Sequence, residues 1–280
     1  MMTSQAVVHV PGSLAEALAL RAAYPAALPL AGGTDVMVYL EAHQVDPPAF
    51  IDLWGVEGLC GIEASAAGLR IGAAVSYSAL IEDARVVAAA PTLVEAARTV
   101  GARQIQNRGT LGGNIANASP AGDSMPVLLS LDAELELASA ARGTRRVALA
   151  DFYRGYKRVD LAGDELIVAV WLPRRDARDR VHFRKVGTRM AQSISKVVLG
   201  ARVRVEGVVT EARMGWGSVA ATPVRSRAVE AALVGRAVDP GAAAKVRDDI
   251  TPIDDVRSTA GYRLAVAERV LRRWLASIAG

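Results

Sequence analysis

The pattern of apolar and polar positions predicts three successive structural units. Ser13 and Glu16 have the spacing of a capping box, and the alanine- and leucine-rich segment that follows predicts a helix ending near Ala23. Apolar segments at 28–31 and 49–53 predict two short strands, with a helix beginning at Val36 between them. The first unit is therefore predicted to be a small βαβ subdomain of roughly sixty residues.

From Gly61 onwards the predicted strands are short, and many of them alternate between apolar and polar residues. These strands lie at 61–64, 69–73, 133–138, 145–149 and 165–172, and helical segments at 76–82 and 92–100 interrupt them. This mixture is typical of an α+β subdomain built on a mainly antiparallel sheet.

The charged, proline-led segment 173–180, PRRDARDR, predicts a domain boundary. Strands at 181–186, 197–206 and 211–218 follow, and then helices at 224–233, 242–250 and 262–278. The last helix carries its apolar residues on one side: Val266, Val270, Leu271, Trp274 and Leu275. We therefore expect an α+β protein with an N-terminal domain at 1–173, divided into subdomains at about 1–57 and 58–173, and a small α+β C-terminal domain at 174–280.

Composition and charge indicate a globular protein and argue against nucleic-acid binding. The chain has 280 residues, 51% of them apolar, so it can bury substantial cores. Its formal charge of +4 is the difference between 33 basic and 29 acidic residues, with both signs interspersed. Arginine clusters at 142–146, 174–180 and 269–273 lack interleaved aromatic residues, and no zinc or RNA-recognition motif is present. The arginines are more simply explained by solvated faces or a docking surface than by nucleic-acid binding.

The few cysteine and histidine residues argue against a metal centre within this chain. Cys60 is the only cysteine, so the chain alone cannot supply the roughly four thiolates of an iron–sulfur cluster. His9, His43 and His182 are far apart and lack metal-ligand spacing. No signal-peptide pattern opens the sequence, and no uncharged apolar run approaches the ~20 residues of a membrane span. We expect a cytoplasmic protein.

The stretch 110–133, TLGGNIANASPAGDSMPVLLSLDA, contains the first candidate binding site. Gly112 and Gly113 can take positive φ and bring backbone amides close to a ligand oxygen. Thr110, Asn114 and Ser119 add polar donors, and Asp123 is an acceptor suited to a ribose or ribityl hydroxyl. These residues suit a phosphorylated, hydroxyl-rich cofactor, although spacing alone is also compatible with an ordinary surface loop leading into a helix.

A second glycine segment, Gly32-Gly33-Thr34-Asp35, stands between a predicted strand and a predicted helix. The N-terminus of a helix after such a turn favours a phosphate group. The segment is neither the GxGxxG fingerprint nor a P-loop, and an ordinary left-handed turn fits the pattern too. Gly101 precedes the loop at Thr110, and we expect all three glycine-bearing loops to line one cleft between the βαβ unit and the sheet.

Four motifs in this order resemble the FAD-binding medium subunit of molybdenum hydroxylases, the family of aerobic carbon monoxide dehydrogenases and xanthine dehydrogenases. They are LAGGTD at 30–35, TLGGNIANASPAGD at 110–123, RKVGTR at 184–189 and DDVRSTAGYR at 254–263. The resemblance extends over essentially the whole chain. It favours a flavin site over the alternatives above.

The resemblance implies a set of FAD contacts in this chain. The implied cofactor-binding residues are Leu28, Pro29, Leu30, Ala31, Gly32, Gly33, Thr34, Asp35, Val100, Gly101, Thr110, Leu111, Gly112, Gly113, Asn114, Asp123, Ile167 and Lys185. Both glycine loops would contact the pyrophosphate region, and Asp123 would meet the adenosine ribose side. Ile167 would pack near the flavin. Lys185 would lie near the flavin N1/O2 edge and stabilise the reduced anionic flavin, so its loss would lower the flavin potential; a lysine that caps the domain junction is the alternative.

The resemblance also implies partners that supply the remaining cofactors. A large subunit would hold molybdopterin, a small subunit would hold two 2Fe–2S clusters, and the complex would be a dimer of heterotrimers. This chain would pass electrons from those clusters through FAD to an external acceptor, and we assign it no catalytic acid or base. A stand-alone FAD-dependent reductase using NADPH, of the enolpyruvyl-sugar type, and a non-catalytic scaffold subunit are the alternatives.

Overall fold

The computed structural model describes residues 6–189 and 191–279 and confirms the predicted α+β class. The first five residues of the segment inspected for a signal peptide lie outside the described part. No helix among the described residues combines the length and the apolar character needed to cross a membrane.

The N-terminal unit is a three-stranded parallel sheet flanked by two helices. Its strands are β1 (Val7–His9), β2 (Leu28–Leu30) and β3 (Ala49–Asp52), with β3 in the centre, and its helices are α1 (Leu14–Ala23) and α2 (Val36–Glu41). The hydroxyl of Ser13 accepts the N–H of Glu16, as the capping box predicts, while the Glu16 carboxylate accepts the N–H of Gly12. The predicted βαβ pairing of β2 with β3 is confirmed, and β1 extends the sheet.

The second unit contains a five-stranded, entirely antiparallel sheet in the order β4-β5-β10-β6-β7. Its strands are β4 (Ile62–Ala64), β5 (Gly68–Gly72), β6 (Glu134–Ser139), β7 (Gly143–Ala148) and β10 (Leu166–Pro173), while β8 (Tyr153–Gly155) and β9 (Arg158–Val159) form a separate hairpin. The helices of this unit are α3 (Tyr77–Glu82), α4 (Ala84–Ala89), α5 (Pro91–Ala97), α6 (Arg103–Arg108), α7 (Leu111–Asn117), α8 (Ser124–Ser130) and α9 (Leu149–Phe152). Apolar residues of the sheet and helices form the largest core.

The C-terminal unit is a second antiparallel sheet with a helical layer. Strands β11 (Arg180–Val186), β12 (Val197–Glu206), β13 (Val208–Gly217) and β14 (Val224–Arg225) lie in this order. The helical layer consists of α10 (Arg227–Leu233), a 3₁₀ helix at Pro240–Asp248 and α11 (Ala260–Ile278). Leu271, Trp274 and Leu275 of α11 are buried in this core, as the apolar pattern predicts.

Helix α8 joins the second unit to the C-terminal sheet by close backbone contact with β12 and β13. A Cβ added at Gly200 would lie 2.5 Å from the Pro126 carbonyl oxygen, and one added at Gly215 would lie 2.2 Å from the same atom. Only glycine leaves room for the helix at these two positions. The joint is therefore a contact of backbone on backbone.

Asp132, just after α8, reinforces this joint with charge. Its carboxylate accepts hydrogen bonds from Arg202, Arg213 and Arg225 of the C-terminal sheet, each with a shortest distance of 2.8 Å. Charge-assisted bonds of this kind are stronger than neutral ones. Three of the arginines that the sequence left unassigned thus hold the two parts of the chain together.

Several predicted elements differ from the observed ones. The stretch after Thr110 is the helix α7 and not an open loop, because the Thr110 hydroxyl caps it by accepting the N–H of Gly113. The predicted helix 224–233 begins only at Arg227, since Val224 and Arg225 pair with β13. The segment predicted as a helix at 242–250 is part of the 3₁₀ helix.

Candidate functional site

A cavity of about 930 Å³ lies where the three units meet. Its lining comes from the β2–α2 segment, from the start of α7 with the 119–123 loop, and from residues around Lys185 and Ile194. Fourteen of the eighteen predicted site residues line it: Leu28, Pro29, Ala31, Gly32, Gly33, Thr34, Asp35, Val100, Gly101, Thr110, Gly113, Asn114, Asp123 and Lys185. The three glycine-bearing loops thus come together in one cleft.

The first glycine segment presents free amides to this cavity. Gly33 has a φ of +75°, which turns the chain between β2 and α2. No protein acceptor among the described residues meets the N–H groups of Gly33, Thr34 and Asp35. Amide donors at the start of a helix suit a phosphate group.

Gly32 sets how closely this segment approaches the turn after α6. A Cβ at Gly32 would lie 1.7 Å from the carbonyl oxygen of Arg108, far inside van der Waals contact. Any side chain at this position would push the two cavity walls apart.

The second glycine segment works differently from our expectation. Gly112 and Gly113 are helical, and the predicted positive φ is wrong for both. Their amides are taken within the protein, since Gly112 donates to the Ala73 carbonyl at 2.9 Å and Gly113 to the Thr110 hydroxyl at 3.1 Å. Gly112 packs against Ala73, where a Cβ would come within 2.5 Å of the alanine Cβ. The two glycines therefore allow close packing and place no side chain at this wall of the cavity. Their backbone N–H groups are not available to a ligand.

An ion pair between Asp123 and Lys185 closes one end of the cavity. The Lys185 ammonium lies 2.6 Å from Asp123 Oδ2 and also donates to the Thr99 carbonyl at 3.2 Å. Both side chains are nine-tenths or more buried. Burial raises the pKa of the Asp123 carboxyl, and the neighbouring Lys185 opposes this shift. The pair therefore brings a charged contact across the domain junction into the cavity wall.

Asp123 also carries an acceptor atom that the protein leaves without a partner. Its Oδ1 is buried and accepts no hydrogen bond from any described residue. A buried carboxylate oxygen without a donor is costly unless a ligand supplies one. The atom is therefore suited to a hydroxyl donor on a bound ligand.

A chain of hydroxyl and amide groups orients Asn114 on the same wall. The Ser124 hydroxyl lies 3.0 Å from both the Tyr77 hydroxyl and Asn114 Oδ1. Burial raises the pKa of the Tyr77 phenol far above its usual value, so the phenol stays protonated. Asn114 is therefore held with its amide nitrogen available to a ligand.

Sequence reasoning missed a second polar group in the lining of the cavity. Tyr39 lines the cavity and donates to Asn117 Oδ1 at 2.8 Å. The Lys157 ammonium lies 4.8 Å from the centre of the Tyr39 ring. Tyr39 and Lys157 belong to no glycine motif, and only the fold brings them together across 118 positions. Neither residue carried a sequence signal that could have identified it.

Leu30, Leu111, Gly112 and Ile167 are the predicted residues that do not line the cavity. Ile167 lies in β10 opposite Leu137 and belongs to the main core. Leu111 is completely buried. Ile167 and Leu111 are therefore core residues and do not face the cavity.

The residues present fit a dinucleotide. Free amides at a helix start, a buried carboxylate oxygen without a donor and two glycine-lined close approaches are the donor and acceptor types that phosphate and ribose or ribityl groups require. The cavity size is in the range of small-molecule and cofactor sites.

Comparison with known proteins agrees with this chemistry. The family profile described as the FAD binding domain in molybdopterin dehydrogenase matches residues 2–175, and that of the CO dehydrogenase flavoprotein C-terminal domain matches residues 182–278. Together the two profiles cover nearly the whole chain.

Individual relatives match over almost their full length. The putative xanthine dehydrogenase FAD-binding subunit of Escherichia coli is 33% identical over 273 residues, covering 95% of this chain and 93% of the relative. The carbon monoxide dehydrogenase medium chain of Afipia carboxidovorans is 31% identical, with the same coverages.

The fold comparison gives the same result. The structure of reconstituted CO dehydrogenase from Oligotropha carboxidovorans superposes with a TM-score of 0.93 at 28% identity, covering 100% of both chains. Profiles, relatives and fold together show that this chain belongs to the FAD-binding medium subunits of the molybdenum hydroxylases, an oxidoreductase family of the carbon monoxide dehydrogenase and xanthine dehydrogenase type.

Proposed function

We propose that this chain takes electrons from the iron–sulfur clusters of a partner subunit onto FAD and passes them to an external acceptor. The observation that carries this proposal is the orphan Asp123 Oδ1, which lies in the same cavity as the free amides of the Gly33–Asp35 segment. Bound FAD supplies the redox chemistry, because it can receive electrons one at a time and release them as a pair. The protein binds the cofactor, orients it and sets the charge around it.

The proposal assigns a task to each wall of the cavity. The amides of Gly33, Thr34 and Asp35 would hold the pyrophosphate. Asp123 Oδ1 would accept a hydroxyl of the ribityl or ribose part, and Asn114 Nδ2 would donate on the same wall. Lys185 would bring its charge close to the cofactor, and the other predicted residues that line the cavity would contact it through backbone and apolar surface.

We further propose that the chain works in a complex with a large molybdopterin subunit and a small 2Fe–2S subunit, arranged as a dimer of heterotrimers. The relatives named above as subunits and medium chains support an assembly. The division into domains at 1–173 and 174–280 belongs to this proposal. A cytoplasmic location does too, and fractionation of the native host tests it.

The test is purification of the chain from its native host, followed by a visible spectrum, identification of released cofactor and metal analysis. We expect flavin bands, released FAD, and iron and molybdenum on two companion chains. FAD on a lone chain that turns over NADPH would replace the relay with a stand-alone reductase. A colourless protein that takes up no FAD would remove the assignment of the cavity.

A further inference from the structure

The charged side chains in the lining of the cavity differ in how far each is neutralised. They are Asp35, Asp123, Lys157 and Lys185. The Lys185 ammonium lies 2.6 Å from the Asp123 carboxylate, so these two charges largely cancel. Lys157 makes no ion pair with any described residue. The positive charge that is still available to a ligand in the described lining is therefore that of Lys157.

Lys157 reaches the cavity from the turn between β8 and β9. Its ammonium donates to the Tyr39 hydroxyl at 3.5 Å and lies 4.8 Å from the centre of the Tyr39 ring. A cation over an aromatic face is attracted by the electrons of the ring. Because the ring carries no formal charge, this contact holds the ammonium in place without neutralising it.

Two hydrogen bonds connect Tyr39 with the first glycine segment. The Tyr39 hydroxyl donates to Asn117 Oδ1 at 2.8 Å, and Asn117 Nδ2 donates to Asp35 Oδ1 at 3.1 Å. Asp35 precedes α2 and Tyr39 lies one turn further along, so the same helix holds both ends of the Asn117 amide. The N–H of Asp35 is one of the amides that no described protein acceptor meets. Lys157 and the free amides therefore belong to one connected polar group.

Asp35 makes a positive charge useful at this place. Its carboxylate belongs to the same residue as one of the free amides, and a carboxylate without a counter-charge would repel a phosphate group there. Burial raises the pKa of the Asp35 carboxyl, and the positive charge of Lys157 opposes this shift. The field of the ammonium thus reaches Asp35 and offsets its negative charge beside the amides.

We propose that Lys157 binds the diphosphate of FAD together with the amides of Gly33, Thr34 and Asp35. This inference deepens the proposed function and rests on the part of it that puts FAD in this cavity. Backbone amides at a helix start contribute only partial charges, whereas an ammonium adds a full charge and charge-assisted hydrogen bonds. Lys157 is exposed on its turn, and its flexible stem lets the ammonium move onto a phosphate oxygen.

The proposal adds the β8–β9 hairpin to the segments that bind the cofactor. Lys157 belongs to neither glycine segment, and it lies more than thirty positions beyond Asp123 in the sequence. Its contribution is electrostatic, so it should depend on the charge at this position and should be screened by salt. Both properties can be measured without any partner subunit or turnover.

The experiment measures the affinity of the full-length chain, freed of FAD, for added FAD by flavin fluorescence at about 50 mM and about 500 mM KCl. Lys157→Met removes the charge and keeps a long side chain that can still lie on the Tyr39 ring, while Lys157→Arg keeps the charge. Arg158→Met is the matched control. It removes one positive charge from the next residue of the same hairpin, which is not part of the cavity lining.

We expect Lys157→Met to weaken FAD binding roughly tenfold or more at the low salt concentration, because a charge-assisted contact with the diphosphate is lost. The factor should be smaller at the high salt concentration, where the wild-type contact is itself screened. Arg158→Met should bind FAD like wild type at both concentrations. Lys157→Arg should bind FAD more tightly than Lys157→Met at the low concentration.

The possible results separate the role of Lys157 from the proposed function. A wild-type chain that binds no FAD would overturn the proposed function. Tight binding by wild type, with equal affinities in Lys157→Met and Arg158→Met, would overturn the role of Lys157 alone. A loss in Lys157→Met that is the same at both salt concentrations, or a loss of the same size in Lys157→Arg, would show that the charge is not used and would also contradict the proposal.

Discussion

The ammonium of Lys185, on the first strand of the C-terminal sheet, lies 2.6 Å from the carboxylate of Asp123, at the start of α8. The resemblance assigns Asp123 to the adenosine ribose and Lys185 to the flavin edge, which are far apart in an extended dinucleotide. The ion pair places the two side chains next to each other in the wall of the cavity. It also means that Lys185 is largely neutralised where it meets the cavity.

Replacing Lys185 with Met should destabilise the protein. The change leaves the Asp123 carboxylate buried without its counter-charge, and breaking a buried pair in this way costs roughly 3–5 kcal/mol. The pKa of Asp123 is already raised by burial and should rise further without the lysine. A carboxyl group with a raised pKa stabilises the folded state as the pH falls through that pKa. The variant's loss in free energy of unfolding should therefore be largest near pH 7 and smaller near pH 5.

Urea unfolding of the FAD-free chain at the two pH values measures this effect. Lys245→Met is the control, because Lys245 is 60% exposed and its ion pair with Asp248, at 3.5 Å, is the only one that it makes with a described residue. An exposed pair contributes ~0–1 kcal/mol, so the control should change little. An equal loss at both pH values would show that lost packing, and not the buried charge, explains the result.

The flavin potential should respond in opposite directions to the two members of the pair. Lys185→Met removes a cation and should lower the potential, while Asp123→Asn removes the opposing anion and should raise it. Because each charge offsets the other in wild type, the difference between the two variants should exceed either single shift. Spectroscopic titration of the FAD-loaded variants against reference dyes measures the three potentials. An unchanged potential in Lys185→Met would remove the role assigned to this lysine.

Gly32→Ala and Gly33→Ala form a matched pair of adjacent substitutions. The methyl group at Gly32 would collide with the Arg108 carbonyl, so the walls must shift, at a cost of about 1–3 kcal/mol or more. At Gly33 the nearest atom would be 3.7 Å away, and only the φ of +75° is unfavourable, by roughly 1 kcal/mol. We expect Gly32→Ala to weaken FAD binding at least tenfold and Gly33→Ala to weaken it much less. Isothermal titration with FAD gives both affinities, and equal losses would contradict the packing argument.

Glu165 should provide pH-dependent stability far from the cavity. Two bonds from Arg145, at 2.7 and 2.8 Å, lead the interactions that lower the pKa of this carboxyl from 4.5 to about 2. A lowered carboxyl pKa stabilises the fold above pH 4.5, and this stabilisation disappears as the pH falls toward 2. Since Arg145 is 41% exposed, we expect Glu165→Gln to cost only about 1–2 kcal/mol at pH 7.

Urea unfolding of Glu165→Gln and wild type gives the difference between their free energies of unfolding. This difference should become smaller as the pH is lowered from 5 to 3. Glu134→Gln serves as a control, because Glu134 is 43% exposed and its nearest arginine nitrogen is 3.6 Å away. If the difference in free energy of unfolding stays constant over this pH range, Glu165 stabilises the fold through its shape and not through its charge.

Local patterns in the sequence predicted most of the sheets and the closing helix. Strand alternation and the apolar side of α11 depend on neighbours along the chain, and Leu271, Trp274 and Leu275 are buried as predicted. The helix after Thr110 was missed because two adjacent glycines are typical of a loop. The contact of Gly112 with Ala73 stabilises a helix there, and that contact is made only in the folded chain.

Site residues that belong to a sequence motif could be predicted. Contacts between residues that only the fold brings together could not. The resemblance identified Asp123 and Lys185 individually, whereas their pairing requires β11 to lie beside the start of α8. Tyr39 and Lys157 meet only because helix α2 lies beside the turn between β8 and β9. Distances between remote segments are set by tertiary packing, which one sequence does not encode in any local pattern.

The close contact of Pro126 with Gly200 and Gly215 limits how this chain can be recombined with its relatives. A hybrid that takes its C-terminal sheet from another medium subunit inherits that subunit's residues at both glycine positions. If either carries a side chain, α8 cannot reach its place, and Asp123 at the start of α8 moves away from the cavity. Helix α8 and the C-terminal unit therefore have to come from the same parent, which requires crossover points on both sides of α8 and another one after β10.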